Sequence, residues 1–301
     1  MAANPRSSKR HIRYIVLAVF GAGALVLLFT FLTQGSNVAV LNPAGTIAAQ
    51  QKNLIILTTV LGLFVVIPVF ILLFGIAWKY REGNTKARYT PNVGGSRKLE
   101  ALWWGIPAVI ILVLSVVTWQ SSHTLDPFKE LVSSKKQMVV EVVSLQWKWL
   151  FIYPELGIAS VNYLPFPEQT PMHFQITSDA PMNSFWIPNL GGQVYAMSGM
   201  STELHLQADQ PGSYRGVSAN ISGAGFASMN FTAQSMTKAD FDDWVQKAAA
   251  SKNLLDAESY KTLALPSTAD APKVFRLMES NLYDTVMMKY MMPDIGSGMM
   301  E

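Results

Sequence analysis

Residues 101–144 read ALWWGIPAVIILVLSVVTW, then QSSHTLDPFKELVSSKKQ, then MVVEVVS, and the three pieces suit different surroundings. Ala101–Trp119 contains no charged side chain. It approaches the ~20 apolar residues that carry a helix across ~30 Å of hydrocarbon. The middle piece is polar and charged, as a watery connection is. Met138–Ser144 is rich in valine, whose branched Cβ suits an extended chain. A membrane span running into a β-rich domain is thus written in one stretch.

Toward the N-terminus the span chemistry recurs. Leu54–Ala77 and Tyr14–Thr33 also lack any charged residue. Pro68 and Pro107 lie inside the second and third runs. A soluble helix interior resists proline, whereas a spanning helix can lean on neighbours to satisfy the freed carbonyls. The Trp78–Lys98 stretch carries six Lys or Arg against the single acid Glu82, which places it on the cytoplasmic side. Gln34–Gln51 has no Lys or Arg, and so should face out. Everything after His123 then lies outside. The first run, led by Arg6, Lys9, Arg10 and Arg13, has two readings: a signal-like segment, cleaved or disposable, or a retained span.

Composition excludes several classes. Half of the 301 residues are apolar and only 14% are charged, with charge scarce up to about Trp119. The net charge of +3 sits around the apolar runs, leaving no basic stripe on the soluble part for nucleic acid. There is no cysteine, which excludes disulfides, zinc–thiolate sites, iron–sulfur clusters and thiolate-bridged copper. The histidines are His11, His123, His173 and His205; no two stand at helical or alternating spacing, and no metal site is predicted. No nucleophile elbow, phosphate-cradling loop or zinc-hydrolase motif is present, so no catalytic residue is expected in the chain.

Beyond Met138–Ser144, strands are expected at Met172–Thr177 and Met229–Ala233. Another is expected at Thr202–Ala208, where Leu204 and Leu206 alternate with Glu203, His205 and Gln207. Turn signals such as Pro211-Gly212 separate them, the pattern of a small β-sandwich. Thr237 with Asp240 then resembles a helix N-terminus, and Phe241, Trp244, Val245 and Ala248 recur at helical spacing. A second helix is expected over Phe275–Met292. Its methionines read as a packing face in preference to a copper-handling tail.

Several segments resemble subunit II of the haem–copper respiratory oxidases. They are Ala77-Trp78-Lys79-Tyr80, Leu99-Glu100-Ala101-Leu102-Trp103-Trp104-Gly105-Ile106-Pro107, Gln146-Trp147-Lys148-Trp149, Asn183-Ser184-Phe185-Trp186-Ile187-Pro188 and the run Ser218–Met229. The likeness spans Leu41 to about Met292 and is strongest to the bacterial cytochrome bo-type, ubiquinol-oxidising branch. It implies a membrane α-helical hairpin anchor plus an all-β, cupredoxin-like sandwich with C-terminal helices. The expected organisation is a signal-like or first transmembrane segment over 1–36 and a two-helix anchor over 37–122 with a cytoplasmic loop at 78–100. A periplasmic sandwich over 123–236 and a C-terminal helical extension over 237–301 complete it. The setting implied is the bacterial inner (plasma) membrane, multi-pass. The partners implied are a catalytic haem–copper subunit I, further small membrane subunits and the lipid bilayer.

In family members that accept electrons from cytochrome c, the sandwich binds two copper ions through two His, two Cys, a Met and a Glu carbonyl. The resemblance places Asn183 and Phe226 at the two His positions, Ser218 and Ser222 at the Cys positions, Asn220 at the Glu and Met229 at the Met. Serine offers no soft thiolate and phenylalanine no donor, so copper should not bind. The chain is then expected to carry no cofactor. Haems and copper would lie in the partner catalytic subunit, and quinol would be the substrate of the complex. Glu100 is the proton-uptake candidate, because the family's Leu-Glu carboxylate lies at the mouth of a proton path; the bland alternative is an acid at a helix N-terminus. Trp147 and Trp149 are read as packing aromatics where sandwich meets membrane. Gly191-Gly192 and Gly223-Ala224-Gly225 are read as turns of the former copper loops. Many relatives carry a lipid-modified cysteine where this chain reads Gly35-Ser36-Asn37, so that anchor should be missing. This favours a retained first run or two sufficient spans. Two rival readings are a membrane-tethered periplasmic binding module and a copper-delivery assembly factor.

Overall fold

Two long apolar helices come first in the computed structural model, which describes residues 38–88, 94–268 and 271–291. The run Tyr14–Thr33, His11, the N-terminal basic cluster and the Gly35-Ser36-Asn37 position lie outside these residues. Helix α1 covers Thr46–Lys79 and α2 covers Arg97–Thr124, with Pro68 and Pro107 inside them. Both are long and apolar enough to cross a membrane. At ~1.5 Å per residue α1 is longer than the ~30 Å needed to cross hydrocarbon, and its first turns are polar. Those turns rest on the sandwich: Ala48 is buried and its amide donates to Leu190 O at 3.2 Å. Gly45 just before them has no space for a side chain, since a Cβ would collide with the Gln207 carbonyl oxygen. Helix α2 begins at Ser96, whose hydroxyl caps the Leu99 amide.

The domain that follows is a two-sheet sandwich. Its strands are β1 Met138–Leu145, β2 Lys148–Tyr153, β3 Ile158–Val161, β4 Tyr163–Pro167, β5 Met172–Ser178 and β6 Asn183–Trp186. They continue as β7 Val194–Ala196, β8 Thr202–Leu206, β9 Gly212–Ser218, β10 Asn230–Met236, β11 Leu254–Leu255 and β12 Lys273–Leu277. One sheet runs β11-β12-β3-β2-β1-β5-β8 and the other β4-β10-β9-β6-β7. In β5 and β8 alternate residues face inward, so Met172, Phe174, Ile176, Leu204 and Leu206 join the core between the sheets. At its centre Phe185 stacks on Phe231 at 5.1 Å, and Trp149 meets Phe185 edge-on at 5.3 Å. Trp149 is therefore a packing aromatic, fully buried in the core between the sheets.

Helix α3, Lys238–Ala249, starts where Thr237 and Asp240 predict: the Thr237 hydroxyl accepts from the Asp240 amide at 3.2 Å. Trp244 on its apolar face packs on Tyr153 at 5.6 Å. Helices α4, Ala257–Ala264, and α5, Leu282–Met288, complete the fold. The helix expected over Phe275–Met292 is corrected here, because Lys273–Leu277 forms strand β12 and only Leu282–Met288 is helical. The free edge of β3 decides this: β12 pairs with it antiparallel, Phe275 opposite Ala159, and the alternation of Val274 and Phe275 then serves two different cores. The second core lies where Val143, Leu145, Leu150 and Ile152 meet Tyr260, Leu282, Tyr283 and Val286.

Candidate functional site

The sandwich topology gathers a small polar cluster at one end of the five-stranded sheet. Asn183 opens β6, Ser218 closes β9, and Met229 immediately precedes β10. β6 and β10 both flank β9, with Phe185 opposite Ser218. All three side chains are buried. The Asn183 amide nitrogen donates to Ser222 Oγ at 3.0 Å and approaches Met229 Sδ at 3.0 Å. The Ser218 hydroxyl hydrogen-bonds Asn183 Oδ1 and lies 3.3 Å from Met229 Sδ. Asn183 Oδ1 also accepts the Ser184 amide at 2.8 Å.

Trp147 forms the lid of this end. It sits at φ 68, and its indole nitrogen donates to Ser222 O at 3.3 Å. Its ring presses on Gly225 so closely that a Cβ there would run into the indole, while Gly223 takes φ 117. Both glycines are thus required by a turn and a close approach. The Gly223-Ala224-Gly225 reading as a turn holds in this geometry.

Chemically the cluster is an amide, two hydroxyls and one thioether, each occupied by the others. Without a thiolate or an imidazole it does not fit a thiolate-bridged pair of copper ions. Four of the six positions singled out in the sequence, Asn183, Ser218, Ser222 and Met229, come together. The other two do not join their hydrogen bonds. Asn220 donates to Met182 O at 3.0 Å, and Phe226, itself half-buried, opens the turn over Phe226–Ser228.

Glu100 stands apart from this cluster, exposed in the first turn of α2. Two features escaped sequence reasoning. Glu141 on β1 has its carboxyl pushed up to about 7, first by burial and then by the charge of Asp284. His173 and His205 are opposite each other in the β5–β8 register, although 32 residues separate them in the chain. Strand alternation could have placed each on an outward face, but pairing alone reveals that they meet.

Residues 155–236 match the cytochrome c oxidase subunit II periplasmic domain, and residues 249–294 match the COX aromatic rich motif. Over 89% of its length the chain is 47% identical to cytochrome bo(3) ubiquinol oxidase subunit 2 of Pseudomonas putida, covering 85% of that protein. The chain belongs to the ubiquinol oxidase subunit 2 family. Two further members are ubiquinol oxidase subunit 2 of Acetobacter aceti and the Pseudomonas aeruginosa cytochrome bo(3) ubiquinol oxidase subunit 2. The first is 46% identical over 86% of this chain and 85% of its own length, the second 45% over 88% and 80%. The family is one of oxidoreductase subunits. Its periplasmic-domain match and the two apolar helices fit a membrane-anchored protein. The aromatic-rich segment of this family member supplies Tyr260, Phe275 and Tyr283 to the second core, so that motif acts here as packing.

Proposed function

We propose that this chain is the subunit II, itself without cofactor, of a proton-pumping quinol oxidase that oxidises ubiquinol and reduces oxygen to water. The observation that carries this reading is the self-bonded, thiol-free cluster of Asn183, Ser218, Ser222 and Met229. With Asn220 and Phe226, these are the former copper-ligand positions of the cytochrome c-oxidising branch. A chain with no soft donor pair there has no station for electrons from an outside protein. Electrons then enter from a membrane quinol at a partner catalytic subunit that holds the haems and copper. The names of the three relatives given above, each a ubiquinol oxidase subunit 2, support the same reading.

In this reading α1 and α2 brace the catalytic subunit in the bacterial inner membrane. The basic stretch between them faces the cytoplasm and the sandwich covers the periplasmic side. Exposed Trp103 and Trp104 on α2 offer apolar surface to the partner or to lipid. Glu100, at the cytoplasmic start of α2 beside Arg97 and Lys98, collects protons for the partner's uptake path. The test is purification of the tagged chain from native membranes in mild detergent, followed by haem spectra and oxygen uptake. Co-purifying haem subunits that consume oxygen with ubiquinol, and not with reduced cytochrome c, support the proposal. A colourless chain that emerges alone from intact complexes overturns it in favour of a tethered binding module.

A further inference from the structure

We propose that His173, Glu203 and His205 form a binding site for a divalent transition metal, zinc above all, on the outer face of the seven-stranded sheet. The three residues lie on neighbouring strands β5 and β8, with His173 directly opposite His205. Their inward-facing neighbours Met172, Phe174, Leu204 and Leu206 belong to the core, so strand alternation turns all three ligands to the opposite face. The two imidazoles stack at 4.5 Å with 12° between planes. One ligand atom from each residue lies within 4.8 Å of the others. A tetrahedral zinc with bonds of ~2.0–2.2 Å needs such atoms roughly 3.4 Å apart, a distance small side-chain rotations can close. Among the described residues this is the one group of three or more such side chains placed to share an ion.

His205 carries the second, independent observation. It is only 3% exposed, and its Nε2 is buried with no hydrogen-bond partner. Its Nδ1 lies 3.0 Å from Pro127 O. A carbonyl can only accept, so Nδ1 bears a proton, and the tautomer with its proton there has the ring's lone pair at Nε2. A backbone carbonyl that fixes the tautomer in this way is the usual support of a metal-binding histidine. An orphaned buried lone pair is otherwise a cost with no return.

The remaining electrostatics agree. His173 Nε2 lies 3.4 Å from Glu203 Oε2, an ion-pair contact. Burial, with His205 beside it, pushes the His173 imidazole below its ordinary value, against the opposing pull of Glu203 and Glu130. Two imidazole nitrogens and one carboxylate make the donor set of a three-ligand zinc site, leaving a fourth position for water. The Pro127 carbonyl also accepts the His205 backbone amide at 3.2 Å, so a bound ion would stiffen the join between α2 and the sandwich.

The site shares no residue with the cluster at Asn183 and stands independently of the oxidase reading. The experiment is calorimetric titration of the chelator-stripped full chain in detergent with zinc chloride, paired with cobalt(II) absorption as a coordination signature. One zinc per chain with a micromolar or tighter Kd is expected, with visible d–d bands of four-coordinate cobalt. His173→Ala, Glu203→Gln and His205→Asn should each weaken binding at least tenfold. Asparagine at 205 keeps a donor for Pro127 O, and the two less buried positions provide variants that fold if His205→Asn does not. Absence of saturable zinc binding by the folded chain overturns the proposal. So does binding that survives unchanged in His173→Ala and Glu203→Gln, which would mark an adventitious ion only.

Discussion

At Asn183 one side chain satisfies four partners at once, accepting from Ser218 and the Ser184 amide while donating to Ser222 and Met229 Sδ. Such a buried hub is costly to remove, because its partners stay buried with nothing to replace it. Asn183→Ala should lower stability by about 1–3 kcal/mol, read as a lower denaturant midpoint with unchanged slope. The residues of this cluster were all visible in the sequence through the family motifs. Their mutual hydrogen bonds were not, since a motif states which residue types stand in line and not which rotamers they adopt. Trp149 makes the same point. It stands two residues from Trp147, yet β2 buries Trp149 between the sheets and leaves Trp147 over the Gly225 turn.

Elements are where local signals and tertiary context compete. The start of α3 was legible because its cap is local, and Thr237→Ala should cost about 1 kcal/mol in thermal or chemical denaturation. Strand β12 was not legible, because Lys273–Leu277 owes its extended form to the edge of β3. Strand β1 places Glu141 near α5, where burial and then Asp284 raise its pKa from the ordinary 4.5 to about 7. The fold therefore favours the protonated carboxyl. That stabilising contribution is fully present below about pH 4.5 and is lost as pH rises through about 7. Between pH 5 and 8 the native protein should lose stability that Glu141→Gln retains. The expected gap at pH 8 is about 1–2 kcal/mol after allowing for the group's partial exposure, and melting curves across the pH range would measure it.

On the scale of the whole molecule, the chain divides between two solvents, and the proposed proton path belongs to this scale. If Glu100 feeds a partner subunit, Glu100→Ala should lower turnover and proton uptake of the assembled oxidase severalfold, while haem content and assembly stay normal. Unchanged turnover would reduce Glu100 to an acid at a helix N-terminus. The two long apolar helices, the β-rich domain after them and the lack of any thiol site were determined by the sequence alone. Hydrophobic run length, strand alternation and absent cysteines are each properties of consecutive or counted residues. The tertiary structure alone decided that Lys273–Leu277 extends a sheet, that Glu141 is half-buried beside Asp284, and that His173 faces His205. Each depends on segments distant in the chain coming together, and pairing register and packing settle that, not local propensity.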